Sequence, residues 1–253
     1  MLITNPRPTE SAAAKYYEST QYISHQSTPT GLMDYIYLIV RWFTLRWKLS
    51  IIKPYLINSK LLDVGCGTGT FLRYCQQSGV ETFGVEPSRA ARAQAKTNGI
   101  PVTDSINSMP PDKYDVITLW HVLEHIYDLH TTLTTLRDHL TDGGTIFIAI
   151  PNWQSYDAKY YKEQWAGYDV PRHVWHFGKE SMTTLLEKSG YKLRGIIPMN
   201  LDAYYVCLLS EKYKTGGALS ILGAARGIKK AYQSNGHAKL DMNYSSMIYI
   251  AQK

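Results

Sequence analysis

Hydrophobic positions gather into short continuous runs near residues 60–64, 81–86, 100–103, 114–119 and 144–150, the pattern of strands buried on both faces. Helical spacing fills the intervals near 69–78, 87–97, 121–126 and 129–140. Gly79, Gly99 and the Gly143–Gly144 pair fall where those helices should stop. Strand–helix alternation of this length predicts an α/β fold: a doubly wound, mostly parallel sheet. After Pro151 the regularity breaks. Residues 152–178 read as a long aromatic and polar connection, followed by a helix at 179–189 ended by Gly190 and a strand near 191–198. Residues 200–235 read as helical, and a β-rich run at Ser245–Ala251 closes the chain.

The first 30 residues are polar, with Pro6, Pro8 and Pro29, yet Tyr16, Tyr17, Tyr22 and His25 make the segment aromatic enough to order against something. Residues 31–56 form an apolar-basic helical pattern interrupted by Asp34, Arg41 and Arg46, short of the roughly 18 uninterrupted apolar residues a spanning helix needs. Two readings of this helix stay open: a cover over the ligand pocket or a partner subunit, and an amphipathic helix at a membrane interface anchored by Trp42 and Trp47. The chain then divides into an N-terminal helical lid at 1–57, a ligand-binding core at 58–152, and a substrate-side loop, helices and last strands of the same domain at 153–253.

Candidate chemistry begins at LLDVGCGTGTFL, residues 61–72. A buried strand closes on Asp63, Gly65, Gly67 and Gly69 follow at alternate positions, and a helix starts at Thr70. Glycine permits the positive φ angles of such a turn and lets ligand atoms approach the backbone. The spacing is G-x-G-x-G, unlike the G-x-G-x-x-G of dinucleotide sites, which argues against a nicotinamide oxidoreductase. Glu86, before Pro87 at the end of the second strand, is placed to accept both ribose hydroxyls of an adenosine. Cys66, inside the loop, reads as a small residue flanking the backbone rather than a nucleophile.

Further along, YDVITLWHVLEHI at 114–126 brings Trp120 and His121 past the end of a strand. His121-x-x-Glu124-His125 matches H-x-x-E-H, and on a helix the two histidines would share a face as zinc ligands do. That motif is short and follows a sheet whose ligand crevice is already specified, so a zinc hydrolase is a remote alternative and no metal is expected. His125 reads either as a structural histidine or as a catalytic one. The rim sequence WAGYDVPRHVWHF at 165–177 holds Tyr168, Asp169, Arg172, His173 and His176. Asp169 and Arg172 either pair to pin this loop, or the loop supplies a base and an anchor for an anionic substrate.

The net charge of +6 permits anionic partners, but the densest basic cluster is Lys229-Lys230 with Arg226, too thin for a nucleic-acid surface. Cys66, Cys75 and Cys207 include no C-x-x-C and fit reduced thiols in a cytoplasmic protein. The polar start MLITNPRPTE lacks the apolar core of a signal peptide.

The strings LLDVGCGTG, FGVEPS, YDVITLWHVLEHI and DGGTIFIAIPN resemble the core of class I S-adenosylmethionine-dependent methyltransferases, in the group that includes the ubiquinone-biosynthesis O-methyltransferases. The flanks YYESTQYISH and WAGYDVPRHVWHF resemble a bacterial branch of that group with undefined substrate. The resemblance implies a seven-stranded, Rossmann-like sheet with a helical insertion before the last strand, and S-adenosylmethionine as cofactor. It implies that Asp63, Gly65, Cys66, Gly67 and Gly69 hold the methionine end and that Glu86 and Pro87 lie at the ribose. Ser105 and Ile106 would flank the adenine, and Leu119 and Trp120 the methyl side. Transfer to a small-molecule acceptor, with a hydroxyl oxygen favoured, then calls for a base near neutral pKa: His125, His173 or His176, with Asp169 beside them. Tyr16, Tyr17, Tyr22, Trp120 and Trp165 suit a lid over a cationic sulfonium. A non-catalytic or membrane-associated cofactor-binding module is the alternative, and a homodimer stays open.

Overall fold

The computed structural model describes residues 1–16 and 32–253. Tyr17, Tyr22 and His25 lie outside the described residues. The strands are β1 (Leu2–Ile3), β2 (Lys60–Val64), β3 (Glu81–Val85), β4 (Val102–Thr103), β5 (Tyr114–Trp120), β6 (Leu140–Pro151), β7 (Trp175–His176), β8 (Lys192–Pro198) and β9 (Ser246–Gln252). Among the described residues the α-helices are α1 (Glu10–Ala13), α2 (Leu32–Ile52), α3 (Thr70–Gln76), α4 (Arg89–Thr97), α5 (Leu129–Asp138), α6 (Tyr156–Tyr161), α7 (Lys179–Lys188), α8 (Asp202–Lys214) and α9 (Ile221–Asp241).

Seven strands join in the order β4-β3-β2-β5-β6-β9-β8. β2 pairs in parallel with both β3 and β5, and β3 with β4. From β2 the chain moves outward through β3 and β4, then returns to β5 on the other side of β2. This reversal is the switch point at whose strand ends doubly wound sheets bind ligands. The register sets Asp63 of β2 opposite Gly84 on one side and Thr118 on the other.

Several expected elements differ. The helix expected at 121–126 is a short 3-10 turn at Leu123–His125, because His121 sits in the left-handed region at φ +56° and redirects the chain after β5. Gly143 and Gly144 do not end a helix. They lie inside β6, with Gly143 at φ +81°, while α5 stops at Asp138. The helical stretch expected at 200–235 is two helices, separated where Gly216 and Gly217 take φ of +72° and +128°. Residues 152–178 carry α6 and β7, and the short N-terminal strand β1 pairs antiparallel with β7.

Packing groups the chain into two compact units. One holds Thr9–Leu119, Thr132–Phe147 and Gln252–Lys253, and is called here the glycine-loop unit. Its core includes Ile52, Leu61, Leu62, Leu72, Ile117 and Phe147, all fully buried. Asp115 accepts from Asn58 N (2.7 Å), Asn58 Nδ2 (2.9 Å) and Lys60 N (3.1 Å), fixing the entry to β2.

The histidine unit holds Met1–Pro8, Trp120–Thr131 and Ile148–Ala251. At its centre the fully buried Asp157 accepts from Trp165 Nε1 (2.7 Å), Ser234 Oγ (2.6 Å) and Ser245 Oγ (2.7 Å). A buried carboxylate is tolerated when its lone pairs are occupied in this way. Trp165 is therefore a core residue and not part of a lid. Helices α8 and α9 meet at Gly227, where a Cβ would stand 3.3 Å from the backbone of Leu208.

Candidate functional site

In the glycine-loop unit, Gly65, Gly67 and Gly69 all take positive φ (+73°, +56° and +73°). A Cβ on Gly69 would stand 2.7 Å from Ile100 Cγ1, whereas one on Gly67 would meet no atom within 4 Å. The middle of the loop thus borders open space while its end is packed. Gly65 N and Cys66 N both donate to Val85 O (2.7 and 3.1 Å), which ties the loop to the end of β3.

Glu86 is buried and gives one oxygen to each side of this crossing. Gly67 N donates to Oε2 and Ser88 N to Oε1, each at 2.8 Å. Burial pushes its carboxyl upward, against the pull of those two N–H groups and of Arg92. Each carboxylate oxygen keeps a second lone pair for a further donor. Pro87 follows, exposed to solvent.

Asp63 is buried at the end of β2, and Thr118 Oγ1 donates to its Oδ1 at 2.7 Å. Burial raises its carboxyl to about 7, opposed by Thr118 and by the charge of Lys48. Thr118 and Lys48 were not expected from the sequence. Only the strand register reveals the first, and only the course of α2 the second. Burial also pushes the Cys66 thiol far up, so it stays neutral and is no nucleophile. Ser105 Oγ and Ser108 Oγ stand 2.5 Å apart, and Ile106 opens the short helical turn after β4. Leu119 is fully buried in β5, and Trp120 is its last residue.

The histidine unit collects a second constellation. His121 reaches Asp202 through Nε2 (2.9 Å) and Glu124 through Nδ1 (3.5 Å). Burial works against its charge, but the two carboxylates outweigh it and raise His121 to about 10, an imidazolium at neutral pH. Glu124 is buried, which opposes ionisation, yet His121 and the charges of His173 and His125 draw it down to about 2. His173 goes the other way: burial lowers it to about 4, against the raising charges of Glu124 and Asp169, so it is neutral at pH 7.

Tautomers follow from the backbone partners. His173 Nδ1 lies 3.0 Å from Gly167 O and His125 Nδ1 lies 3.0 Å from Arg172 O. Carbonyls only accept, so both rings donate from Nδ1, and the neutral His173 presents a lone pair at Nε2. The His173 Nε2 faces Asp169 Oδ2 (3.7 Å) and Glu124 Oε1 (3.9 Å), and the two imidazoles meet edge to face with centroids 4.6 Å apart. His176 is used differently. The Thr4 hydroxyl donates to His173 O at 2.7 Å, so His176 Nε2 must donate to Thr4 Oγ1 at 3.0 Å, and this pair ties β1 to β7. Asp169 and Arg172 form an ion pair at 2.8 Å within the rim loop.

The expected shared helix face of His121 and His125 is absent, since no α-helix forms there. The structure instead gathers Glu124, His125 and His173, whose ligand atoms lie within 4.8 Å of one another, a set that could hold a metal ion. Both Glu124 oxygens lack a hydrogen bond despite full burial. Asp202, at the start of α8, was invisible in the sequence because it enters from 81 residues beyond His121.

Comparison with known proteins shows the family and the fold. A family model described as a methyltransferase domain matches residues 44–195. The ubiquinone biosynthesis O-methyltransferase of Proteus mirabilis is 33% identical over 38% of this chain and 44% of that protein. The mitochondrial ubiquinone biosynthesis O-methyltransferase of Homo sapiens is 28% identical over 58% of this chain and 45% of that protein. The chain thus spans less than half the length of these curated relatives. Among solved structures, a SAM dependent methyltransferase from Archaeoglobus fulgidus matches with a TM-score of 0.54 and 21% identity, over 87% of this chain and 100% of that one. At that identity the likeness speaks for the fold alone.

Proposed function

The chain belongs to the family of methyltransferase domains, and from that membership and the glycine-loop geometry we propose that it transfers a methyl group from S-adenosylmethionine to a hydroxyl of a small molecule. The observation that carries this reading is the loop itself: three left-handed glycines between Asp63 and Thr70, open at Gly67 and tied to Glu86. The residues fit the group. Asp63 offers an anionic oxygen to the amino group of the methionine end, and the remaining lone pairs of Glu86 suit a ribose diol. Ser105, Ile106, Leu119 and Trp120 line the adenine and methyl sides in this reading. When bound, S-adenosylmethionine supplies a methyl group already activated on a sulfonium.

The chain's own task is to hold the acceptor in line, exclude water and take the hydroxyl proton. His173 presents an unprotonated Nε2 for this, with the His125 ring packed edge to face against it, and a proton on His173 Nε2 would be held by Asp169 and Glu124. His121 keeps its proton and serves as a fixed cation, not a base. The oxygen preference is supported by the relatives' name, O-methyltransferase.

Calorimetric titration with S-adenosylhomocysteine tests the cofactor. Micromolar binding to the natural chain, lost in Glu86→Ala, is expected, and no binding to the natural chain would remove the proposal. With an acceptor in hand, His173→Gln or His125→Gln should lower turnover by roughly 10²–10⁴-fold while that binding persists. A second reading rests on Glu124: a divalent cation held with His125 and His173 would polarise the acceptor oxygen directly. Metal analysis of the natural chain and of Glu124→Gln separates the two.

A further inference from the structure

We infer that the outer face of α9 is a docking surface for an anionic lipid bilayer. Ile221, Leu222, Tyr232 and Leu240 leave 90%, 79%, 73% and 88% of their surface in solvent, and Ile228 leaves 51%. In an ordinary surface helix the apolar stripe faces the core. Here the core is served by small residues instead, Gly223, Gly227, Ala231, Ser234 and Ala238, and the large apolar side chains point away from it. At 1.5 Å per residue, the exposed row from Ile221 to Leu240 runs for roughly 30 Å along one helix.

Charge decides the occupant. Lys229 and Lys239 are exposed along this row and make no ion pair among the described residues. The nearby carboxylates are engaged elsewhere. Glu211 is buried against Arg226 at 2.7 Å, Asp202 holds His121, and Asp241, two residues and so roughly 200° round the helix from Lys239, lies off this row. A second copy of this face would set lysines against lysines with no acid to relieve them. An anionic headgroup layer gives the lysines a partner while the isoleucines, leucines and tyrosine enter the acyl boundary. No helix among the described residues is long and apolar enough to cross a membrane, so the contact is peripheral.

The test is co-sedimentation of the full chain with vesicles of phosphatidylcholine plus phosphatidylglycerol, and with phosphatidylcholine alone. Binding to the anionic vesicles only, weakened by salt, is expected. Ile221→Asp combined with Tyr232→Asp, and separately Lys229→Glu combined with Lys239→Glu, should each lower it at least about tenfold. All four positions are exposed, so unchanged circular dichroism and unfolding midpoints will show that the variants fold. Failure to sediment at low salt, or binding by both variants that equals that of the natural chain, overturns the proposal. So does a lipid-free dimer that Ile221→Asp with Tyr232→Asp dissociates, because the stripe then belongs to a second copy.

Discussion

His121 and Asp202 meet at 2.9 Å across 81 residues of sequence, and this contact, with Glu124 on the other ring nitrogen, keeps the imidazole charged. A folded pKa of about 10 against an ordinary 6.5 means the pair stabilises fully below pH 6.5 and fades as pH rises toward 10. Asp202→Asn is therefore expected to cost about 1 kcal/mol between pH 5 and 6.5, an amount limited by solvent at a side chain one third exposed, and almost nothing near pH 10. Urea unfolding across that range checks it. A histidine NMR titration should show His121 deprotonating at lower pH in the variant.

Asp63 makes the opposite prediction. Unfolded it ionises near 3.8 and folded near 7, so its contribution to stability is full below about pH 3.8, falls as pH climbs to 7, and is flat above. Asp63→Asn should remove up to about 4 kcal/mol of that penalty at pH 8, visible as a raised unfolding midpoint. The natural chain should bind S-adenosylhomocysteine about tenfold more tightly per pH unit up to about 7, then level off, if the ionised carboxylate holds the amino group. Calorimetry at several pH values gives the slope, and the variant should show neither affinity nor slope.

Thr118→Val keeps the shape beside Asp63 and removes the 2.7 Å hydrogen bond that favours its ionised form. The pH at which affinity levels off should move upward. Stability at pH 8 should drop by about 1–3 kcal/mol, the cost of a lost bond to a charged group.

Gly69→Ala tests the loop as scaffold. The residue combines φ +73° with a Cβ position 2.7 Å from Ile100 Cγ1, so strain and overlap add. A loss of about 2–4 kcal/mol in denaturant unfolding is expected. Gly67→Ala, with open space beside it, should cost less stability, about 1–2 kcal/mol from its φ of +56°.

The glycine-loop unit was largely legible in the sequence because its determinants are local. Asp63, the three glycines and Thr70 form one continuous stretch, and Glu86 directly follows the next strand. The histidine unit was legible only in part. WAGYDVPRHVWHF announced a polar cluster, yet nothing in it said that His176 would bond Thr4 or that Trp165 would be buried on Asp157. The 3-10 turn after β5 reads as a helix in the sequence because apolar spacing does not register the left-handed φ of a single histidine. The split between α8 and α9 is marked by Gly216 and Gly217, but helical spacing continues on both sides and hides it.

Asp157 gathers its three donors from Trp165, Ser234 and Ser245, and two of them lie 77 and 88 residues further along. During vectorial synthesis α6 emerges long before those serines do. Until Ser245 has left the ribosome, this carboxylate has no means of being buried without unmet hydrogen bonds. The histidine unit therefore closes as a late, non-local event, and a nascent chain halted before residue 245 should be held open and within reach of chaperones and proteases.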